Sequence, residues 1–271
     1  DLAVSLQVLA VPEQDNPTAL QTETPSYTDL WETAKENPTI AVPVCWDKTP
    51  YLQDEIKQDF QNQLTAFGKL GLKINYVTLP HLKYASLVAA IISAVEAFSN
   101  LSNMDGVRFG HREIGDHLQE MYIKTRSKGF SSKLKKFITC GGLLSTPKYY
   151  ANYFQQGQKL RTVIIQELES CLRENDLLLT PTTPFWAPPP DSPVGGKVFP
   201  DPAGYYTAAA NLAGFPSLSF PLNNDKNGRL PGALHFTAHR EREVILLQMA
   251  SLLEKENPFR WPKLALALQE V

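Results

Sequence analysis

Cysteine is too scarce in this sequence to hold it together. The three present, Cys45, Cys140 and Cys171, are an odd number spaced 95 and 31 residues apart, which matches neither a disulfide framework nor a zinc site. They are expected to be free thiols in a reducing compartment, the cytoplasm or an organelle matrix. An excess of charge is missing too: 26 Lys and Arg face 28 Asp and Glu, a net of −2, so no whole-chain attraction to nucleic acid or an anionic membrane is expected. No window reaches the roughly 18 uninterrupted apolar residues of a membrane span. The best run, Leu87 to Ile92, is broken by Ser93 and Glu96, and a soluble protein without membrane contact is expected. No signal-peptide pattern stands at the start, and the sequence opens on Asp1 as if cut from something longer.

The familiar local signatures are absent as well. There is no Walker loop, no paired-His zinc motif, no Gly-x-Ser-x-Gly elbow and no dinucleotide glycine fingerprint. Glycines cluster only at Gly141-Gly142 and Gly195-Gly196, and neither pair lies between a strand and a helix start, where a phosphate cradle forms. No nucleotide, metal or other cofactor is expected.

What is present is globular. With 271 residues, 43% hydrophobic and 10% aromatic, folding can bury about three quarters of the unfolded surface without crosslinks. Leu2, Leu6 and Leu9 repeat at helical spacing behind Asp1, a potential N-cap. A polar connection from Pro12 to Ser26 leads to a helical patch over Tyr27 to Ala34. Thr39 to Val44 has the apolar, partly β-branched character of a buried strand. Leu52, Ile56, Phe60, Leu64 and Phe67 then mark one face of a helix ending at Gly68 or Gly71, and Lys73 to Leu79 is a second strand. Strand, helix, strand predicts a right-handed crossover between adjacent parallel strands, hence an α/β sheet.

Leu82 to Leu101 is apolar on most faces and is expected to be a buried helix. Asn103 to Asp116 is a loop with an Asp105-Gly106 turn. Helices are predicted over Leu118 to Ser127, Ser132 to Ser145 and Lys148 to Arg173, the last with Tyr153, Leu160, Ile164 and Leu168 near one face. A strand at Asp176 to Thr180 precedes a segment, 181–202, too proline-rich for regular structure. A helix over Tyr206 to Leu212, strands at Ser217 to Pro221 and Ala233 to Thr237, and a helix over Glu243 to Leu253 complete a single domain, 1–271.

Among ionisable side chains, His81, His111, His117, His235 and His239 are possible general bases. His111 and His117 share a polar loop with Glu113 and Asp116, where the plainer reading is solvated loop residues. His235 and His239, four apart, suggest a metal pair, but strand followed by turn need not aim them the same way. Lys124, Arg126, Lys128, Lys133, Lys135 and Lys136 form a local cationic stretch with no acid inside it. It is either a weak RNA contact or a solvated face.

Five ordered blocks, EAFSNLSNMDGVRFGHR (Glu96 to Arg112), MYIKTRSKGFSSKLKKFI (Met121 to Ile138), YYANYFQQGQKLRTVI (Tyr149 to Ile164), DLLLTPTTP (Asp176 to Pro184) and NLAGFPSLSFP (Asn211 to Pro221), strongly resemble the amidase signature family. The resemblance implies a mixed β-sheet flanked by helices in an α/β/α sandwich. It also implies a Ser-cis-Ser-Lys triad: one serine attacks the amide, the second relays a proton, lysine is the base, and backbone N–H groups hold the oxyanion. In the family the triad lies in the N-terminal half. Asp1 to Val11 resembles the helix that follows that core, and no Gly-Gly-Ser-Ser-Gly-Gly stretch occurs in the 271 residues. The expectation is a C-terminal portion without catalytic residues, working with the N-terminal half or another protein chain. The alternative is a degenerate homologue with a structural role in the assembly of a larger complex.

The resemblance also locates a substrate-pocket wall, with Lys136, Phe137, Asp201 and Gly204 as its candidates. Where glutamine-using members end a Lys-Arg-Arg run with a carboxylate-binding arginine, this sequence has Lys135, Lys136 and Phe137, and phenylalanine offers a carboxylate no donor. The family's aspartate before Asn-Leu-Ala-Gly falls on Gly204, with Asp201 the nearest acid. A pocket tyrosine falls on Ala89 or Ala90. These departures argue against glutamine as substrate, whereas Phe98, Phe109, Leu178 and Phe215 are expected to keep the family's packing.

Overall fold

The computed structural model describes residues 1–12, 15–17, 22–30, 38–187, 201–222 and 232–256. Parts of the Pro12 to Ser26 connection, residues 31–34 of the second helical patch, and 188–200 of the proline-rich segment, with Gly195-Gly196, lie outside the described residues.

The predicted crossover is there. β1 (Thr39–Pro43), α3 (Asp54–Lys69) and β2 (Lys73–Val77) follow α1 (Leu2–Leu9) and α2 (Tyr27–Leu30), and β1 pairs with β2 in parallel, Thr39 opposite Lys73. Asp1 occupies the N-cap position of α1 but makes no side-chain cap; its carbonyl accepts from Ser5 N at 2.9 Å. Next come α4 (Ala85–Leu101), α5 (Leu118–Gly129), α6 (Ser132–Leu144), α7 (Pro147–Tyr149), a π-helical turn (Tyr150–Phe154), α8 (Gln155–Glu174), β3 (Leu177–Pro181), α9 (Ala208–Ala213), β4 (Ser217–Pro221), β5 (Ala233–Thr237) and α10 (Glu243–Glu256). β3 pairs parallel with β1 and antiparallel with β5, which pairs antiparallel with β4. The mixed sheet therefore runs β2-β1-β3-β5-β4.

Strand alternation divides the core into two layers. Ile40, Val42, Leu177, Leu179, Leu234 and Phe236 pack with Phe60, Leu64 and Phe67 of α3 and with Leu246 and Met249 of α10. On the opposite face, Ala41 and Leu178 meet Val88 and Ile92 of α4, Ile164 and Leu168 of α8, and Leu212 of α9. The sheet edge at Thr39 is pinned to the start of β3: Thr39 N and Oγ1 both donate to Asp176 Oδ2 at 2.9 Å.

Three packing expectations are corrected. Leu82–Leu101 is not buried on most faces. Ala85, Val88, Ile92 and Ala94 are covered, but Leu87 is 46% and Phe98 40% exposed, because α8, α9 and α6 cover only part of its circumference. Phe98 and Phe109, expected in the core, are at the surface, Phe109 at 60%; Leu178 and Phe215 are buried as expected. Tyr153 is exposed, since the π-helical turn breaks the α-helical period there and Phe154 packs on the core instead. When a few charges are tolerated, Leu82–Leu101 is long and apolar enough to cross a membrane, with a mean hydropathy of 1.5. The core helix of a soluble protein passes the same test.

Candidate functional site

The described pocket with the most buried polar groups opens beyond the carboxyl ends of β1 and β3, where the strand pairing changes from parallel to antiparallel. Such switch points are where open α/β sheets leave a crevice. Cys45 and Trp46 come from the turn after β1, Lys83 from the turn before α4, Thr180 from β3, Tyr205 and Tyr206 from the turn into α9, and His235 and Thr237 from β5. Alternation dictates the floor: Leu234 and Phe236 point into one core layer, so His235 and Thr237 point the other way. Thr180, His235 and Ser219 are register partners across three strands.

This floor is polar yet neutral. Burial holds the His235 imidazole down to about 4, so near neutral pH it offers one donor and one acceptor. Burial pushes the Cys45 thiol up, keeping it protonated and a poor nucleophile, with Sγ 3.9 Å from Leu79 O. Tyr206, also raised by burial, donates to Trp46 O at 2.7 Å. Ser219 lies opposite His235, but its hydroxyl accepts from Thr182 Oγ1 at 3.3 Å. Among the described residues no hydrogen bond joins a serine hydroxyl to a histidine ring or to a lysine amine. The pocket can orient a neutral polar group; it holds no activated nucleophile.

The candidates for the pocket wall lie beside this site. Lys133 Nζ, at the start of α6, approaches Asp201 Oδ2 at 3.5 Å, so α6 and the turn before α9 do meet, through Lys133 rather than Lys136. Asp201 Oδ1 also accepts from Ala203 N at 3.1 Å. Phe137, one turn beyond Lys133, is half-buried and Lys136 is exposed. Gly204 has open space where a Cβ would stand. Ala89 and Ala90 are half-buried on α4.

The histidine pairings separate. His239 stacks near Phe215, centroids 5.3 Å apart, away from the strand that carries His235. His111 Nε2 is 3.0 Å from Glu113 Oε1, and His117 Nδ1 caps α5 by accepting from Glu120 N. His81 pairs with Glu167. Among the described residues no cluster of three or more His, Cys, Asp or Glu is placed to hold a metal. The cationic stretch is largely engaged: Lys124 pairs with Glu120, Lys128 with Glu113 and Lys133 with Asp201. Arg126 donates to Leu101 O and Met104 O, and Lys135 to Ser127 O. Cys45, Cys140 and Cys171 are free thiols.

Sequence reasoning named His235 but missed its pairing with Thr180. The available signal was alternation, Leu-His-Phe-Thr beside Leu-Leu-Leu-Thr; the register between them was not available.

Known proteins repeat this order of elements. The amidase family model matches residues 1–247. The glutamyl-tRNA(Gln) amidotransferase A-chain protein of Fusobacterium nucleatum is 33% identical over 260 residues, 94% of this chain and 52% of its own. Its counterpart in Thermotoga maritima is 33% identical over 213 residues, 77% of this chain and 43% of its own. The crystal structure of the Thermotoga maritima protein superposes with a TM-score of 0.65 at 24% identity over 94% of this chain and 51% of that one. A bacterial aryl acylamidase superposes at 0.69 with 18% identity over 91% and 49%. The chain thus spans about half the length of the curated relatives it matches. With the family model covering most of its length and the mixed sheet reproduced element by element, the chain belongs to the amidase family.

Proposed function

We propose that this chain supplies the substrate-pocket wall and scaffold of an amide hydrolase whose Ser-cis-Ser-Lys triad is carried by polypeptide outside these 271 residues. The observation that carries the reading is the exposure of Phe98 at 40% and Phe109 at 60%, residues within a block that resembles the family's own. Large aromatics in a family block belong against protein, and a contiguous apolar surface left in water marks a contact site. The partial coverage of the relatives and the lack of a Gly/Ser-rich loop agree with it. The partner is the other half of the fold, on the same or a separate polypeptide.

The experiment is reconstitution. The chain is mixed or co-expressed with the complementary half of an amidase-family protein, and complex formation and amide hydrolysis are followed. Activity of the pair but of neither part supports the reading; hydrolysis by this chain alone refutes it. Phe98→Ser with Phe109→Ser abolishes pairing while leaving the fold intact.

Phe137 favours a second reading, a catalytically degenerate homologue that assembles with other chains. It predicts a complex that hydrolyses no amide. A role in tRNA-dependent amidation, or RNA contact through the Lys124 to Lys136 stretch, would rest chiefly on Lys136, because the other cations there already have protein partners.

A further inference from the structure

Thr180 and His235 face each other across the β3–β5 ladder and line the same cavity. Thr180 is 3% exposed, and its Oγ1 has no hydrogen-bond partner. His235 is 4% exposed and makes no hydrogen bond to any described residue. Directly opposed residues in an antiparallel pair bring their Cβ atoms to about 5 Å, yet hydroxyl and ring do not bond each other. Two neutral groups, each able to donate and accept, therefore stand across a gap that neither closes.

Native structures rarely leave such groups unsatisfied. The neighbours cannot help: Tyr206 donates to Trp46 O, and the Cys45 thiol is aimed at Leu79 O. The space between measures about 20 Å3, above the roughly 10–15 Å3 that one water needs. Lys83, the single charged residue lining the cavity, is exposed, so the floor has no charge to hold an anion.

We propose that the cavity between Thr180 and His235 is a binding site for one water molecule, which bridges the threonine hydroxyl and the histidine ring. The water ties β3 to β5 through side chains, fixes the tautomer of His235, and turns its remaining hydrogen-bonding capacity toward the pocket. The inference rests on the described geometry and stands whether or not the chain pairs with a catalytic half.

The test combines crystallography of the protein with two substitutions at one position. The wild type is expected to show a density peak within hydrogen-bonding distance of Thr180 Oγ1 and a His235 ring nitrogen. Thr180→Val, equal in size and lacking the hydroxyl, loses the peak and lowers Tm by about 2–6 °C; Thr180→Ser keeps the peak. An empty cavity in the wild type, or a Thr180→Val protein as stable as wild type or more so, overturns the proposal, since removing an orphaned buried hydroxyl relieves a penalty. If Thr180→Val fails to fold, the wild-type and Thr180→Ser density decides.

Discussion

Gly141 of α6 lies so close to Ala94 of α4 that a Cβ built on it would stand 1.9 Å from the Ala94 carbonyl oxygen. The neighbouring Gly142 meets the Phe98 ring in the same way, at 3.0 Å. These glycines let two helices approach backbone to backbone, a packing role rather than the phosphate-binding one that a Gly-Gly pair can suggest.

Gly141→Ala is therefore expected to destabilise the fold by about 1–3 kcal/mol or more through overpacking against rigid backbone, although alanine is the better helix former. Gly68→Ala, in α3 with nothing within 4 Å of the new Cβ, is expected to stabilise by up to about 1 kcal/mol. Denaturant midpoints at constant slope measure both. Equal effects at the two sites would contradict the close α4–α6 approach.

The buried imidazole of His235 gives a pH signature. Its folded value of about 4 lies below the ordinary 6.5, so between these values the unfolded chain binds the extra proton and stability falls as pH falls. The loss attributable to this group is about 3 kcal/mol by pH 4. Stability curves for wild type and His235→Gln should diverge below about pH 6.5 and run parallel above it. Parallel curves throughout would place His235 in contact with solvent.

Phe137 bears on substrate choice once the fold is complete. A site that desolvates the α-carboxylate of glutamine without a charged donor loses about 1.5–3 kcal/mol, roughly ten- to a hundredfold in kcat/KM. A reconstituted wild type should prefer an aryl or alkyl amide to glutamine, and Phe137→Arg should shift that ratio toward glutamine. A wild type that prefers glutamine would give the carboxylate another partner, Lys136 first.

Local pattern made much of the fold legible. The β1-α3-β2 unit could be read because apolar spacing changes from strand to helix and back, and β4, β5 and α10 are where Ser217, Ala233 and Glu243 begin them. Burial was harder. Leu87, Phe98 and Phe109 are apolar, and apolarity says that a surface should be covered, not which surface is covered within this chain. Nor could the row Thr180, His235, Ser219 be seen, since it depends on the register of three strands, two of them separated in sequence from the third by more than thirty residues. The approach of Lys133 to Asp201 is likewise a contact between distant segments, and only the family resemblance brought those segments into one pocket wall.

The most direct test of the central claim is labelling of the purified 271-residue chain with a serine-directed fluorophosphonate, read by intact mass. No described serine hydroxyl bonds a lysine amine, and the pocket's histidine and thiol are held neutral by burial, so the account predicts no adduct and no amide hydrolysis. Stoichiometric labelling of any serine would contradict it, and would mean that the chain carries an active site of its own.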